Sequence, residues 1–150
     1  MSAPRIRRGR IEDLDALLAL EALFPSDRMS RRAWRRFLGS PRAEVLVAEA
    51  GGGLLGNLLL LCRAGSRRAR IYSLVVAPVA RGQGLGEALV VAAERAALAR
   101  GCLAVSLEVR ADNVAARGLY EKHGYRPLKV LPGYYDDGAD GLRLLKPLSA

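Results

Sequence analysis

Residues 76–89 read VAPVARGQGLGEAL: an apolar run that ends at Pro78, three glycines at alternate positions, then an alanine- and leucine-rich stretch. Glycine lets a backbone approach a ligand closely, and the first amides of a helix lack intrahelical partners. A glycine turn from strand to helix is therefore a cradle for an anion, a phosphate first of all. A Walker loop would need GxxxxGK followed by Ser or Thr, and a dinucleotide fingerprint would need glycine where Glu87 stands. What remains is Arg-x-x-Gly-x-Gly, formed by Arg81, Gly84 and Gly86, with a cation beside free amides and a helix dipole. Taken alone, the glycines fit an ordinary tight turn equally well.

Working outward, Ala69 to Ala77 reads as a strand leading into the loop. Ala88, Leu89, Ala92, Ala93, Ala96 and Ala99 recur at helical spacing after it, and Gly101 closes that helix. Leu103 to Val109 is a further strand. Asp112 or Asn113 caps a helix through Lys122, with Gly124 at its end. Upstream, Arg5 to Arg10 is a weak strand and Glu12 to Leu23 an amphipathic helix. Ser30 caps the helix RRAWRRFL, whose Ala33, Trp34, Phe37 and Leu38 share one face while four arginines occupy the other. Glu44 to Ala50 and Leu54 to Cys62, separated by Gly51-Gly52-Gly53, form a hairpin. Strands Tyr125 to Leu131 and Leu142 to Leu148 flank the turn-rich PGYYDDGADG. The predicted order is β-α-α-β-β-β-α-β-α-β-β, a mixed α/β layer in one domain spanning residues 1–150.

Composition narrows the classes. The 150 residues are 51% hydrophobic and 26% charged, enough for a core without staples. Two distant cysteines and one histidine assemble neither a disulfide framework nor a zinc site, so no metal is expected. The N-terminal stretch has no apolar signal region and no apolar run approaches the ~20 residues of a membrane span; a soluble chain in a reducing cytoplasm is expected. The net charge of +9 favours anionic partners, although the arginines lie in small groups that fit solvated faces as well.

YSLVVAPVARGQGLGEALV resembles the acetyl-coenzyme A motif of the GNAT acetyltransferase superfamily, and SLEVRADNVAARGLYEKHGY resembles the second half of that superfamily's core. Asn113, Ala116, Leu119, Tyr120 and Gly124-Tyr125 stand at matching positions. The resemblance covers residues 69–148 well. With LEVRADN, LYEKHGY and GYY in this order, the chain is most similar to the bacterial ribosomal-protein N-terminal-alanine acetyltransferases. It implies a mostly antiparallel central sheet flanked by helices, and acetyl transfer from acetyl-coenzyme A to an amine. It further implies Glu108 as general base, Tyr120 as general acid and cofactor contact, and a pyrophosphate site in the amides of Gly82, Gln83, Gly84, Leu85, Gly86 and Glu87, next to Arg81. Backbone at Leu74, Val75 and Val76 would pair with the pantetheine arm, and Asn113 would support the cofactor. Arg117-Gly118 departs from the apolar or alanine pair usual there.

The chemistry is consistent with those residue types. Glu108 alternates with the apolar Leu107 and Val109, so its carboxylate faces away from the core and can take a proton directly or through water. Tyr120 lies about two turns after Asn113, and a phenol with pKa ~10 keeps a proton for a departing thiolate at pH 7. An α-amine with pKa ~8 is roughly a tenth neutral at pH 7, whereas a lysine near 10.4 is almost wholly charged. One carboxylate base thus suits a protein N-terminus better than a lysine; the resemblance implies a ribosomal protein as the acceptor, and the same chemistry on a small-molecule amine or a lysine is the alternative. The backbone amide of Val76 is a candidate to polarise the carbonyl. Tyr134 and Tyr135 are expected either to pack on the incoming peptide, with Asp136, Asp137 and Asp140 drawing in its amine, or simply to fill a turn. His123 is read as a helix-end residue bonding the last carbonyls, and Cys62 and Cys102 as small core groups. A basic RNA- or ribosome-binding module without turnover is a further alternative, weakened by eight aromatics and no interleaved basic–aromatic motif; specific DNA binding is not expected.

Overall fold

The structure, a computed structural model, describes residues 4–24 and 29–149; the first three residues, residues 25–28 and Ala150 of the expected domain lie outside the described residues. Among the described residues seven strands and four α-helices follow one another as β1 (Arg5–Arg8), α1 (Leu14–Glu21), α2 (Arg31–Leu38), β2 (Ala43–Ala50), β3 (Gly53–Leu61), β4 (Arg68–Val76), α3 (Leu85–Ala99), β5 (Ala104–Arg110), α4 (Val114–Lys122), β6 (Arg126–Leu131) and β7 (Gly141–Pro147). This is the predicted order. The strands form one sheet, β1-β2-β3-β4-β5-β7-β6, antiparallel everywhere except at β4·β5. A parallel step needs a crossover, and α3 with the glycine loop supplies it.

Apolar residues on both faces of the central strands give two cores. Leu46, Leu58, Leu60, Ile71, Val105 and Leu107 lie in the cluster that includes α3, whereas Val45, Val47 and Leu59 pack with Leu14, Leu17 and Trp34. The buried seam of α3 is Leu85, Leu89, Ala93 and Ala97, with Val90 beside it. The alanine pattern alone points slightly off this seam: Ala88 and Ala99 face solvent. Small residues bring α3 close to the sheet. At Gly56 of β3 a Cβ would stand 2.9 Å from the Val75 carbonyl oxygen and 3.2 Å from Leu89 Cδ1, so only glycine fits between strand and helix.

The capping chemistry follows the sequence. Ser30 Oγ accepts from the Ala33 amide at 3.0 Å, and α2 turns its four arginines outward while Trp34 is fully buried. The Trp34 indole donates to Glu21 Oε1 at 2.8 Å, and Glu21 Oε2 accepts from the Met29 amide at 2.6 Å, so one carboxylate ties α1 to α2.

At the sheet edge, Arg7 donates to both oxygens of Asp13, at 2.8 and 2.9 Å, and to Glu49 at 3.0 Å. These bonds hold the Asp13 carboxyl below the usual carboxylate range. A depressed folded pKa means that the stabilisation is present above the unfolded value and is lost as pH falls through the folded one. Asp13→Asn is therefore expected to lower Tm by roughly 5 °C at pH 7, the equivalent of about 2 kcal/mol. Thermal melts at falling pH should show that difference shrinking once the wild-type carboxylate is protonated.

Candidate active site

The feature that positions the site is a parting of strands. Parallel pairing of β4 with β5 runs from Arg68↔Ala104 to Ile71↔Leu107 and then stops, although both strands continue. On its other side β4 pairs Ile71 with Leu60 and Ser73 with Leu59, which leaves Tyr72 as an extra residue. Such a bulge bends its strand, and here it sits where the two strands separate. The wedge is a cavity of about 200 Å³ between β4 (Ser73, Leu74), β5 (Glu108) and α4 (Ala116, Leu119, Tyr120).

Tyr120 is 7% exposed and meets Tyr125 edge to face, with centroids 5.6 Å apart. Tyr125 is anchored in turn, because its hydroxyl donates to Glu94 at 2.9 Å and Lys146 bonds the same carboxylate. The Tyr120 hydroxyl has no hydrogen-bond partner among the described residues, and burial pushes its pKa up to about 12. At neutral pH it keeps its proton and has it free to give.

Glu108 lies in the same wedge, on the face opposite the buried Leu107 and Val109. Its side chain is 7% exposed and held by two arginines: Arg70 Nε donates to Oε1 at 2.7 Å and Arg143 Nε to Oε2 at 2.9 Å. Both oxygens are engaged, but Oε2 accepts a single bond and keeps a further acceptor position open. The sequence reading did not include these arginines. The alternation Arg68-Ala69-Arg70-Ile71 puts Arg70 on the right face, but the register Glu108↔Arg143 comes only from folding.

A second cavity, of about 460 Å³, opens between Met29, Arg70, Tyr134 and Tyr135. Ile71, Tyr72, Ser73 and Glu108 line both cavities, so the two meet at the strand parting with the carboxylate at the junction. Tyr134 and Tyr135 contact edge to face at 5.1 Å. Of the three loop carboxylates, Asp137 is tied to Arg110 at 2.7 Å and Asp140 accepts from the Gly133 amide at 2.9 Å; these two hold the loop in shape.

Beyond the wedge, Gly82 and Gly84 have φ of 80° and 77°, the left-handed region that favours glycine. Gly84 is the N-cap of α3 and has no side chain to offer, so the amides of Leu85, Gly86 and Glu87 point toward an outside acceptor. Arg81 is exposed, its guanidinium 5.8 Å from the Phe24 ring. Glu87, in the first turn of α3, is turned to Lys122 at 3.1 Å and His123 at 3.4 Å. The His123 ring thus meets Glu87, while the last turn of α4 closes through backbone bonds, because α3 brings a carboxylate within reach. Leu74, Val75 and Val76 pair with β3 on one side only. Asn113 is exposed and accepts from the Ala116 amide at 3.1 Å, so it caps α4 and does not line the wedge with Tyr120. Cys102 is buried, and half-buried Cys62 has its thiol pushed up to about 11 by burial; neither lies in the wedge. Among the described residues no group of three or more His, Cys, Asp or Glu side chains could hold a metal, and no helix is long and apolar enough to cross a membrane.

Known proteins share this fold. The sequence profile of the acetyltransferase (GNAT) family matches residues 11–125. A Bacillus subtilis protein with the name "putative ribosomal protein bS18-alanine N-acetyltransferase" is 34% identical over 139 residues, 91% of each chain. An N-alpha-acetyltransferase of Sulfurisphaera tokodaii is 29% identical over 155 residues, covering 96% of this chain and 93% of that one. The crystal structure of the ribosomal-protein-S18-alanine N-acetyltransferase from Escherichia coli superposes with a TM-score of 0.88 at 25% identity, covering 99% of this chain and 96% of that one. The chain therefore belongs to the GNAT family of acetyltransferases, as an N-acetyltransferase.

Proposed function

We propose that the chain, as one domain, moves an acetyl group from acetyl-coenzyme A directly to the α-amine at the N-terminus of a protein. The observation that carries this reading is the meeting of two cavities at Glu108, one against Leu74 and Tyr120, the other walled by Tyr134 and Tyr135. A donor in the first and a peptide in the second would bring thioester and amine together without a covalent enzyme intermediate. The half-buried Cys62 thiol, held protonated, is no nucleophile for one.

In this reading the amides of residues 82–87 and Arg81 take the pyrophosphate. The free edge of Leu74, Val75 and Val76 pairs with the pantetheine amides, and the Val76 amide is the candidate to polarise the carbonyl. Asn113 acts by setting the start of α4, which positions Tyr120. Glu108 accepts the amine proton as nitrogen bonds to the carbonyl carbon. As the carbon–sulfur bond breaks, the Tyr120 hydroxyl gives its proton to sulfur. A ribosomal protein is the acceptor class that the Bacillus and Escherichia relatives favour. The free thiols of Cys62 and Cys102 fit a reducing cytoplasm.

Gly84 tests the donor half. A Cβ there meets no neighbouring atom, but φ of 77° costs any other residue roughly 1–2 kcal/mol in the loop. Gly84→Val is expected to raise KM for acetyl-coenzyme A by about tenfold with kcat at saturation nearly unchanged, read by steady-state thiol release. An unchanged KM would remove the loop from donor binding.

A further inference from the structure

A third cavity, of about 430 Å³, opens beside the acceptor site and is lined by Arg63, Arg68, Arg70 and Arg143, with Glu108 its only carboxylate among the lining residues. Arg70 and Arg143 share that carboxylate. Arg63 and Arg68 are exposed and have no ion-pair partner among the described residues, and Ser66 bonds the Arg68 backbone on both sides, fixing its place. Four guanidinium groups against one carboxylate make a concave positive field, which selects for an anion.

The cavity shares Arg70, Glu108 and Tyr134 with the acceptor site, so its occupant is a neighbour of the reacting amine. We infer that this cavity is a specificity subsite for a carboxylate of the acceptor polypeptide, an aspartate or glutamate at its second or third position. The inference rests on the reading of the chain as an N-terminal acetyltransferase. An extended peptide advances ~3.3 Å per residue, so a side chain one or two residues past the amine reaches a cavity that begins at Glu108 and Tyr134. The subsite also has a part in the reaction. When Glu108 takes up the amine proton, Arg70 and Arg143 lose their counter-charge, and the peptide's carboxylate supplies another.

The test is a set of peptides with N-terminal alanine and Glu, Gln or Lys at the second position, then at the third, assayed for acetylation with wild type and Arg68→Glu. Wild type is expected to show a kcat/KM roughly tenfold higher for Glu than for Gln at one of the two positions, and lowest for Lys, as two partly exposed ion pairs would give. Arg68→Glu is expected to move Lys ahead of Glu, a reversal that mere loss of structure would not produce. Equal rates for Glu and Gln in wild type, or an unchanged order in the variant, would overturn the subsite and leave the N-terminal acceptor standing. Acetylation of small amines with no peptide acetylated would overturn that acceptor reading, and the subsite with it.

Discussion

Tyr120→Phe is expected to lower kcat by about a hundredfold or more, the range in which general acid catalysis typically contributes. The substitution removes one oxygen and nothing else of consequence. The ring keeps its edge-to-face contact with Tyr125, which is held by Glu94, and no hydrogen bond within the described residues is lost. Thermal stability and KM for acetyl-coenzyme A should therefore stay near wild type while turnover falls. Burial that pushes the hydroxyl up to about 12 keeps it protonated across the working range and lets it serve as a donor. Turnover within threefold of wild type would show that the thiolate leaves with a proton from elsewhere, and the assignment would fall.

Glu108→Gln carries the second large expected effect, a loss of about a hundredfold in kcat/KM for a peptide at pH 7. The amide cannot take up the amine proton. It also faces the Arg143 guanidinium with either a single oxygen or its own N–H donors, where the carboxylate accepted from both arginines. Base loss and local disorder separate by pH. Hydroxide takes over proton uptake from the attacking nitrogen as pH rises, so the deficit should narrow with pH if Glu108 acts as the base. A deficit constant across pH would assign Glu108 to holding Arg70 and Arg143 alone.

Much of this was readable from the sequence because it is local chemistry. The glycine loop, the Ser30 and Asn113 caps and the helix ends at Gly101 and Gly124 each depend on a few consecutive residues, and each stands where its residue type puts it. The Arg117-Gly118 departure has a local outcome too: Arg117 bonds the Ala111 carbonyl at 2.8 Å, and a Cβ on Gly118 would meet open space. What the sequence did not disclose depends on register. The clamp on Glu108 joins Arg70 and Arg143 from strands distant in the chain, and the wedge exists because pairing stops at Ile71↔Leu107 beside a bulge at Tyr72. The turn of Glu87 toward Lys122 and His123 needed two helices to meet. Asn113 kept its place, but its side chain serves the helix and does not enter the wedge.

The central claim is transfer to a protein α-amine, and it is tested most directly by incubating the protein with acetyl-coenzyme A and a peptide that carries a free N-terminal alanine and an internal lysine. Tandem mass spectrometry then locates the product. The expected result is a single acetyl group on the terminal nitrogen, with one thiol released for each; acetyl on the lysine, or thiol release with no acetylated peptide, would contradict it.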